Sequence, residues 1–395
     1  MQEDSTPTAA RNSLRYEALD GWRGIAALLV AVFHFQVASH FYFLPLIRNS
    51  YLMVDFFFVL SGLVISHAYF NKLYINKQIG IFFFRRIGRI WPMHVTMLAT
   101  FVFAETLLFL TQNYVGHALP RPPFSAERNL ASIPSNFLLL NGISNFQFGT
   151  WNGPSWSVSA ELWINLLFAL CVISIPKRLI SPAIFSLMAG CAVTLAAFSP
   201  TYLDSKDAFS LARCGYGFFL GYFVWKAITH NRFKIPGPSF GTILEIFTIS
   251  FAAIAVSMSD ININQMFMPF IFAMFVFVFA NNFGAVSNFM QKRFFLTLGR
   301  LSYSIYITHF FVAFCLYNAI RVGGKIMHIQ STAPNTQLAL IGNSFIMDLV
   351  TGAYLCILFL VAYFANKYIE IPAMRWFNAR AKKMQAGRIP AQASG

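Results

Sequence analysis

Charge is what this chain has least of. Only 11% of its 395 residues are Asp, Glu, Lys or Arg, less than half of the roughly 25% that a soluble domain shows to water. That shortage excludes a water-facing surface over most of the molecule. Acidic residues are the scarcer sign, 14 against 29 Lys and Arg, for a formal net charge of +15. Cysteine is rare too: Cys171, Cys191, Cys214, Cys315 and Cys356 all fall within apolar runs and form no CxxC pair. Neither a disulfide framework nor a metal site is expected from them, and a free buried Cys packs as a small hydrophobe. The chain also lacks a Gly-x-Ser-x-Gly elbow, an HExxH pair, a Walker loop and a dinucleotide fingerprint. Leu60-Ser61-Gly62 is no substitute, because it sits inside an apolar run. There is no internal repeat and no low-complexity segment.

What is abundant is hydrocarbon. The chain is 57% hydrophobic with 46 phenylalanines, and its mean hydropathy is +0.58. A spanning helix needs about 20 mostly apolar residues. Ten runs qualify, at 21–38, 51–70, 90–111, 157–175, 179–198, 209–228, 240–257, 265–282, 301–320 and 345–366. The expected fold is therefore an all-α polytopic membrane bundle. Its expected divisions are a polar N-terminal tail over 1–19, one membrane domain over 20–370 and a basic tail over 371–395. The first run carries Arg23 and His34 and lacks a small-residue cleavage site, so it reads as a retained helix rather than a signal peptide. A shorter apolar stretch, Phe137–Leu140, is too brief to span and is expected to be re-entrant or interfacial.

The positive charge invites a nucleic-acid partner, but its distribution excludes one. Lys and Arg cluster in short loops between apolar runs, as topology determinants do. With an internal N-terminus, 22 of the 29 fall on the inner side. Both termini are thus expected in the cytoplasm, with the long loop over about 112–156 outside.

Ionisable groups inside a bilayer are costly, and each is a functional candidate. In the first run Arg23 and His34 are eleven residues apart, three helical turns, and Asp20 lies one turn before Arg23. All three share one face, a polar stripe roughly 20 Å long at 1.5 Å per residue. Asp55 and His34 each lie near the outer end of their helices, so an antiparallel hairpin brings them to similar depth. Two readings stand: a carboxylate-oriented general base for a hydroxyl, or a structural pair. Glu161, in the run Trp156-Ser157-Val158-Ser159-Ala160-Glu161, is expected at that same outer depth. Arg85 and Arg89, spaced i, i+4 and flanking Arg86, suit phosphate oxygens or simply mark the inner side. Trp151, Trp156 and Trp163 read as an interfacial belt or a sugar-stacking platform. Ser302, Tyr303, Tyr306 and His309 form a second polar stripe, with His309 a shuttle, a substrate contact or a structural histidine.

Taken together, these segments resemble the membrane acyltransferase-3 family, whose members O-acylate polysaccharides, lipopolysaccharide and other envelope molecules. The resemblance rests on Leu19-Asp20-Gly21-Trp22-Arg23-Gly24-Ile25-Ala26-Ala27 through His34, on Val54-Asp55-Phe56-Phe57-Phe58-Val59-Leu60-Ser61-Gly62, and on Arg85-Arg86-Ile87-Gly88-Arg89-Ile90-Trp91-Pro92. It continues through Trp156–Glu161 and Leu298–His309 to Glu370 and Pro372, six motifs in order over about residues 19–375. It implies an acyl-coenzyme A donor, acetyl-coenzyme A in the first place, on the cytoplasmic side and a glycan or lipid-linked glycan hydroxyl on the far side of a bacterial inner membrane. It further implies His34 as catalytic base, with Arg23 from the R-x10-H motif and Arg85, Arg86 and Arg89 holding the donor. Some relatives append an extracytoplasmic hydrolase-like domain; here only a short basic tail follows the tenth run, so transfer is expected to finish within the membrane part. Succinyl or longer acyl donors keep the same fold. A proton-coupled transporter, with His34 and Asp55 as a relay, is the reading from another class, and the missing inverted repeats count against it.

Overall fold

The computed structural model describes residues 16–115, 122–143, 151–206, 208–230, 236–326, 332 and 338–386. Most of the expected N-terminal tail and the last nine residues lie outside them. Within them, all ten expected spans are helices: α1 (Glu17–His34), α2 (Met53–Asn76), α3 (Ile79–Val115), α4 (Ser155–Ser174), α5 (Lys177–Phe198), α6 (Ser210–His230), α7 (Pro238–Ser257), α8 (Met268–Ala280), α9 (Arg293–Ile326) and α10 (Ser344–Ala365). An eleventh, α11 (Ile371–Ala386), follows α10 through a π turn, Asn366–Glu370. No strand occurs among the described residues. Helices are what lipid permits, since every backbone N–H and C=O must find its partner within the segment.

Among the described residues, eight segments are long and apolar enough to cross a membrane. The two that miss this measure, α1 and α6, carry Asp20, Arg23 and Arg213, and both are largely buried by their neighbours. The bundle is thus inverted relative to a soluble protein. Phe247, Ile254, Phe345, Leu349 and Leu360 are exposed on its outside, while Asp55, Arg213, Glu105, Glu245, His309 and Glu370 are buried within.

Close helix approach rests on small residues, as expected where lipid gives apolar side chains no reason to prefer each other. A Cβ on Gly62 of α2 would stand 1.9 Å from the Phe218 carbonyl oxygen of α6, and one on Gly221 would stand 2.0 Å from that of Val59. The second seam joins α1 to α9, where a Cβ on Gly299 would meet the Asp20 carbonyl oxygen at 2.2 Å. This seam positions the site, because α1 carries Arg23 and His34 and α9 carries Ser302 to His309.

Two helices are longer than their apolar runs. Helix α3 has 37 residues, about 55 Å at 1.5 Å each, against a hydrocarbon core of about 30 Å. Its first turns hold Arg85, Arg86 and Arg89, which depress hydropathy without breaking the helix. Pro92 lies inside it. The stretch 137–140 does not span: Phe137 and Leu138 are exposed, while Leu139 turns inward. Leu139 is buried with φ of 53°, and its carbonyl accepts from Ser159 Oγ at 2.5 Å and Trp163 Nε1 at 2.8 Å. Those two bonds hold a left-handed conformation that a non-glycine residue rarely adopts. Residues 371–386, expected as a tail, are helical and pack on α3, with Phe377 against Phe84 and Gly88.

Candidate active site

One cavity of about 160 Å³ opens between α1, α2, α3, α4 and α9. At one end its walls are Arg23, Arg86, Arg89 and Glu161; at the other they are Ser157, Phe57 and Tyr306. Each arginine has a carboxylate beside it. Arg86 Nη2 is 2.8 Å from Glu161 Oε1, which also accepts from Ser61 Oγ at 2.7 Å. Arg89 Nη1 is 3.2 Å from Glu370 Oε1, and the other oxygen of Glu370 accepts from Ser304 Oγ at 2.6 Å and Asn366 Nδ2 at 2.8 Å. Arg23 Nη2 is 3.3 Å from Asp20. Its Nε donates to Ser302 Oγ and its Nη2 to the Gly299 carbonyl, both at 2.8 Å. The Arg23 guanidinium therefore ties α1 to α9 across the glycine seam. The Glu161 expectation is corrected here: it sits not beside His34 and Asp55 but against Arg86, deeper toward the basic end.

Beyond the cavity, past Tyr306, the two histidines meet. His309 Nε2 lies 3.3 Å from His34 Nδ1, with ring centroids 5.0 Å apart. Hydrogen-bond partners assign the tautomers. His34 Nδ1 faces the Val30 carbonyl at 3.0 Å, and His309 Nδ1 faces the Tyr306 carbonyl at 2.6 Å. Carbonyls only accept, so each neutral ring carries its proton on Nδ1. His34 Nδ1–H then lies between Val30 O and the His309 Nε2 lone pair, and His34 Nε2 is left with a free lone pair. That atom can accept a proton, and His309 is placed to stabilise the imidazolium that results. His34 is partly exposed and is not a wall of the cavity.

Asp55 is not the partner of His34. It forms a fully buried fork with Arg213 of α6, Nε to Oδ1 at 3.0 Å and Nη2 to Oδ2 at 2.7 Å. Arg213 also donates to the Tyr51 carbonyl at 3.1 Å and stacks 5.3 Å over the Trp156 ring. The physical reason is reach. A guanidinium matches both carboxylate oxygens at once, whereas depth along two helices says nothing of which way a side chain turns. Trp156 and Trp151 are buried, so neither is an interfacial belt residue; Trp151 Nε1 donates to Ser132 Oγ at 2.9 Å.

The three arginines expected to hold the donor separate as well. Arg85 turns away from the cavity and donates to Gln385 Oε1 of α11 at 3.0 Å. In the second stripe, Ser302 receives Arg23, Tyr303 OH donates to the Ile90 carbonyl at 2.6 Å, and Tyr306 OH shares a 2.7 Å hydrogen bond with Ser157 Oγ. Arg213 is not among the candidates of the sequence, although its place at the start of an apolar run was a signal. Glu105 was passed over too, though a carboxylate inside an apolar run was its signal; it pairs with Arg128 at 2.9 Å.

An apolar exterior around a polar, charge-paired interior defines an integral membrane protein whose working groups lie inside the bundle. Sequence comparison says which one: the acyltransferase-3 family model, described as an acyltransferase domain, matches residues 16–365, and the chain belongs to that family. Over 166 residues it is 34% identical to a protein of Rhizobium radiobacter described as protein 2 in picA locus, a match spanning 39% of this chain and 81% of that relative. No solved structure matches it. The protein is a membrane acyltransferase, an enzyme that transfers acyl groups.

Proposed function

We propose that this acyltransferase carries an acyl group, acetyl in the first instance, from a coenzyme A thioester to a hydroxyl of a cell-envelope glycan or its lipid-linked precursor. The observation that supports the reading most is the placement of the arginine-walled cavity and the His34–His309 pair in succession along the same two helices, α1 and α9. In this reading the basic end faces the cytoplasm of a bacterial inner membrane and receives the donor. The pantetheine arm then runs through the cavity toward Tyr306, while the acceptor approaches the partly exposed His34 from the other side.

His34 Nε2 removes the proton of the acceptor hydroxyl as the oxygen attacks the thioester carbonyl carbon. The carbon–sulfur bond breaks, and the departing thiolate takes the proton back from the imidazolium. The products are an ester and free coenzyme A, and His34 returns neutral. His309, through its Nε2 lone pair, holds the ring and spreads the charge that appears on it. Asp55, with Arg213, Trp156 and Tyr51, is given a structural part: it pins α2 to α6 and α4 beside the site.

The test is transfer itself. Purified protein in lipid receives radiolabelled acetyl-coenzyme A and envelope glycan, and the glycan is recovered. Label that enters the glycan as a base-labile ester, and fails to enter with His34→Ala, is the expected result. No ester from the wild type with acetyl, succinyl or longer donors overturns the reading.

A further inference from the structure

The cavity arginines are poor candidates for the phosphates of a nucleotide, because each already faces a carboxylate: Arg86 with Glu161, Arg89 with Glu370 and Arg23 with Asp20. A phosphate brought among them would meet three negative groups as closely as three positive ones. The uncompensated charge lies one step outward, in a recess where α2 ends, α3 begins and α11 closes over both. Lys72 and Arg85 line it, with Gln78 and Gln385. Among the described residues neither cation has a carboxylate partner. Lys72 stands 5.6 Å over the Tyr69 ring. Arg85 spends one nitrogen on Gln385 Oε1, and its Nε, like that of Arg86, is buried with no hydrogen-bond partner; unlike Arg86, it has no carboxylate beside it. Gln385 is itself held by Gln78, Nε2 to Oε1 at 2.8 Å. Two cations lining one recess without a carboxylate, one of them with an unsatisfied N–H, are what an anion would complete, since a buried donor left unsatisfied is costly.

We propose that Lys72 and Arg85, with Gln385 orienting the guanidinium, form a phosphomonoester subsite. Two sources share that chemistry: the ribose phosphate of the coenzyme A nucleotide, and the headgroup of a phosphatidic-acid-type lipid at the membrane surface. The first rests on the donor proposed above and assigns it a register, with nucleotide in the outer recess and the arm in the inner cavity. It also gives α11 a binding role, although α11 lies beyond the 16–365 stretch that matches the family.

Coenzyme A and its 3′-dephospho form are titrated separately into the full-length protein in phosphatidylcholine nanodiscs, for wild type, Lys72→Gln and Arg85→Gln. Charge-assisted hydrogen bonds to phosphate predict that each variant loses about tenfold or more in coenzyme A affinity and almost nothing for the dephospho form. Equal losses for both ligands, or none for either, overturn the subsite while leaving the donor intact. If the wild type binds neither ligand, the donor reading fails on its own. The second arm then decides the subsite: phosphatidic acid retained by wild type and lost from the two variants supports it, and equal retention overturns it.

Discussion

At the scale of single residues, the unusual feature is that the proposed base is steadied by a second neutral imidazole rather than by a carboxylate. A positioned base contributes about 10²- to 10⁴-fold, so His34→Ala is expected to lower transfer by that factor at unchanged membrane level, read as ester formed per folded enzyme. Wild-type rates from that variant would remove His34 from the chemistry. His309 acts through His34, and its signature differs. His309→Leu is expected to lower kcat with little change in KM for the donor, and His309→Gln, whose amide oxygen reaches where Nε2 stood, to recover part of it. Equal rates for the two variants would reduce His309 to packing. Asp55→Asn belongs to another category altogether. Removing one charge from a buried pair costs about 3–5 kcal/mol, so thermal stability is expected to drop sharply. Asp55→Leu with Arg213→Met is expected to regain most of that loss, as buried pairs replaced by apolar groups often do.

At the scale of elements, the helices were legible and their rotations were not. All ten spans lie where hydropathy placed them, because twenty apolar residues in lipid have essentially one available structure. The ends of α3 and α9 were hidden by the cations that make them useful: Arg85, Arg86 and Arg89 in one, Arg293 and Arg300 in the other. Pairings were hidden for a different reason. Asp55 and Arg213 are 158 residues apart in sequence, and no periodicity within either helix records which neighbour it faces. The glycines carry part of that information, since two surfaces that need glycine at the same depth have to touch. Gly62→Ala and Gly221→Ala press a methyl into a backbone oxygen that cannot yield, so each is expected to cost about 1–3 kcal/mol. Gly80→Ala, with nothing within 4 Å of the added carbon, is the control and is expected to melt as wild type does. Equal melting of all three would mean that the α2–α6 seam is looser than described.

At the scale of the whole molecule, polar groups run from Lys72 at one end to His34 at the other, while the lipid-facing surface stays apolar throughout. Charge along the chain announced that such groups existed, and spacing announced that Arg23 and His34 shared a helix face. What spacing could not announce was compensation. Each cavity arginine faces a carboxylate, and of the three arginines expected to hold the donor only Arg85 lies outside the cavity without one.

An acyltransferase proposed to hand its group through a bilayer must also avoid being a hole in it. The inner cavity ends where the Phe57 and Tyr306 rings meet at 5.7 Å, edge to face, and neither histidine forms part of its wall. Considered electrically, these two rings are the insulator between the cavity and the histidine pair, which the proposed function opens to opposite sides of the membrane. The resting enzyme should therefore hold a membrane potential. Phe57→Gly takes one plate of that insulator away. Reconstituted vesicles carrying it are expected to lose an imposed proton gradient faster than wild-type vesicles, and to hydrolyse thioester without any acceptor, whereas unchanged leak and hydrolysis would place the barrier elsewhere in the bundle.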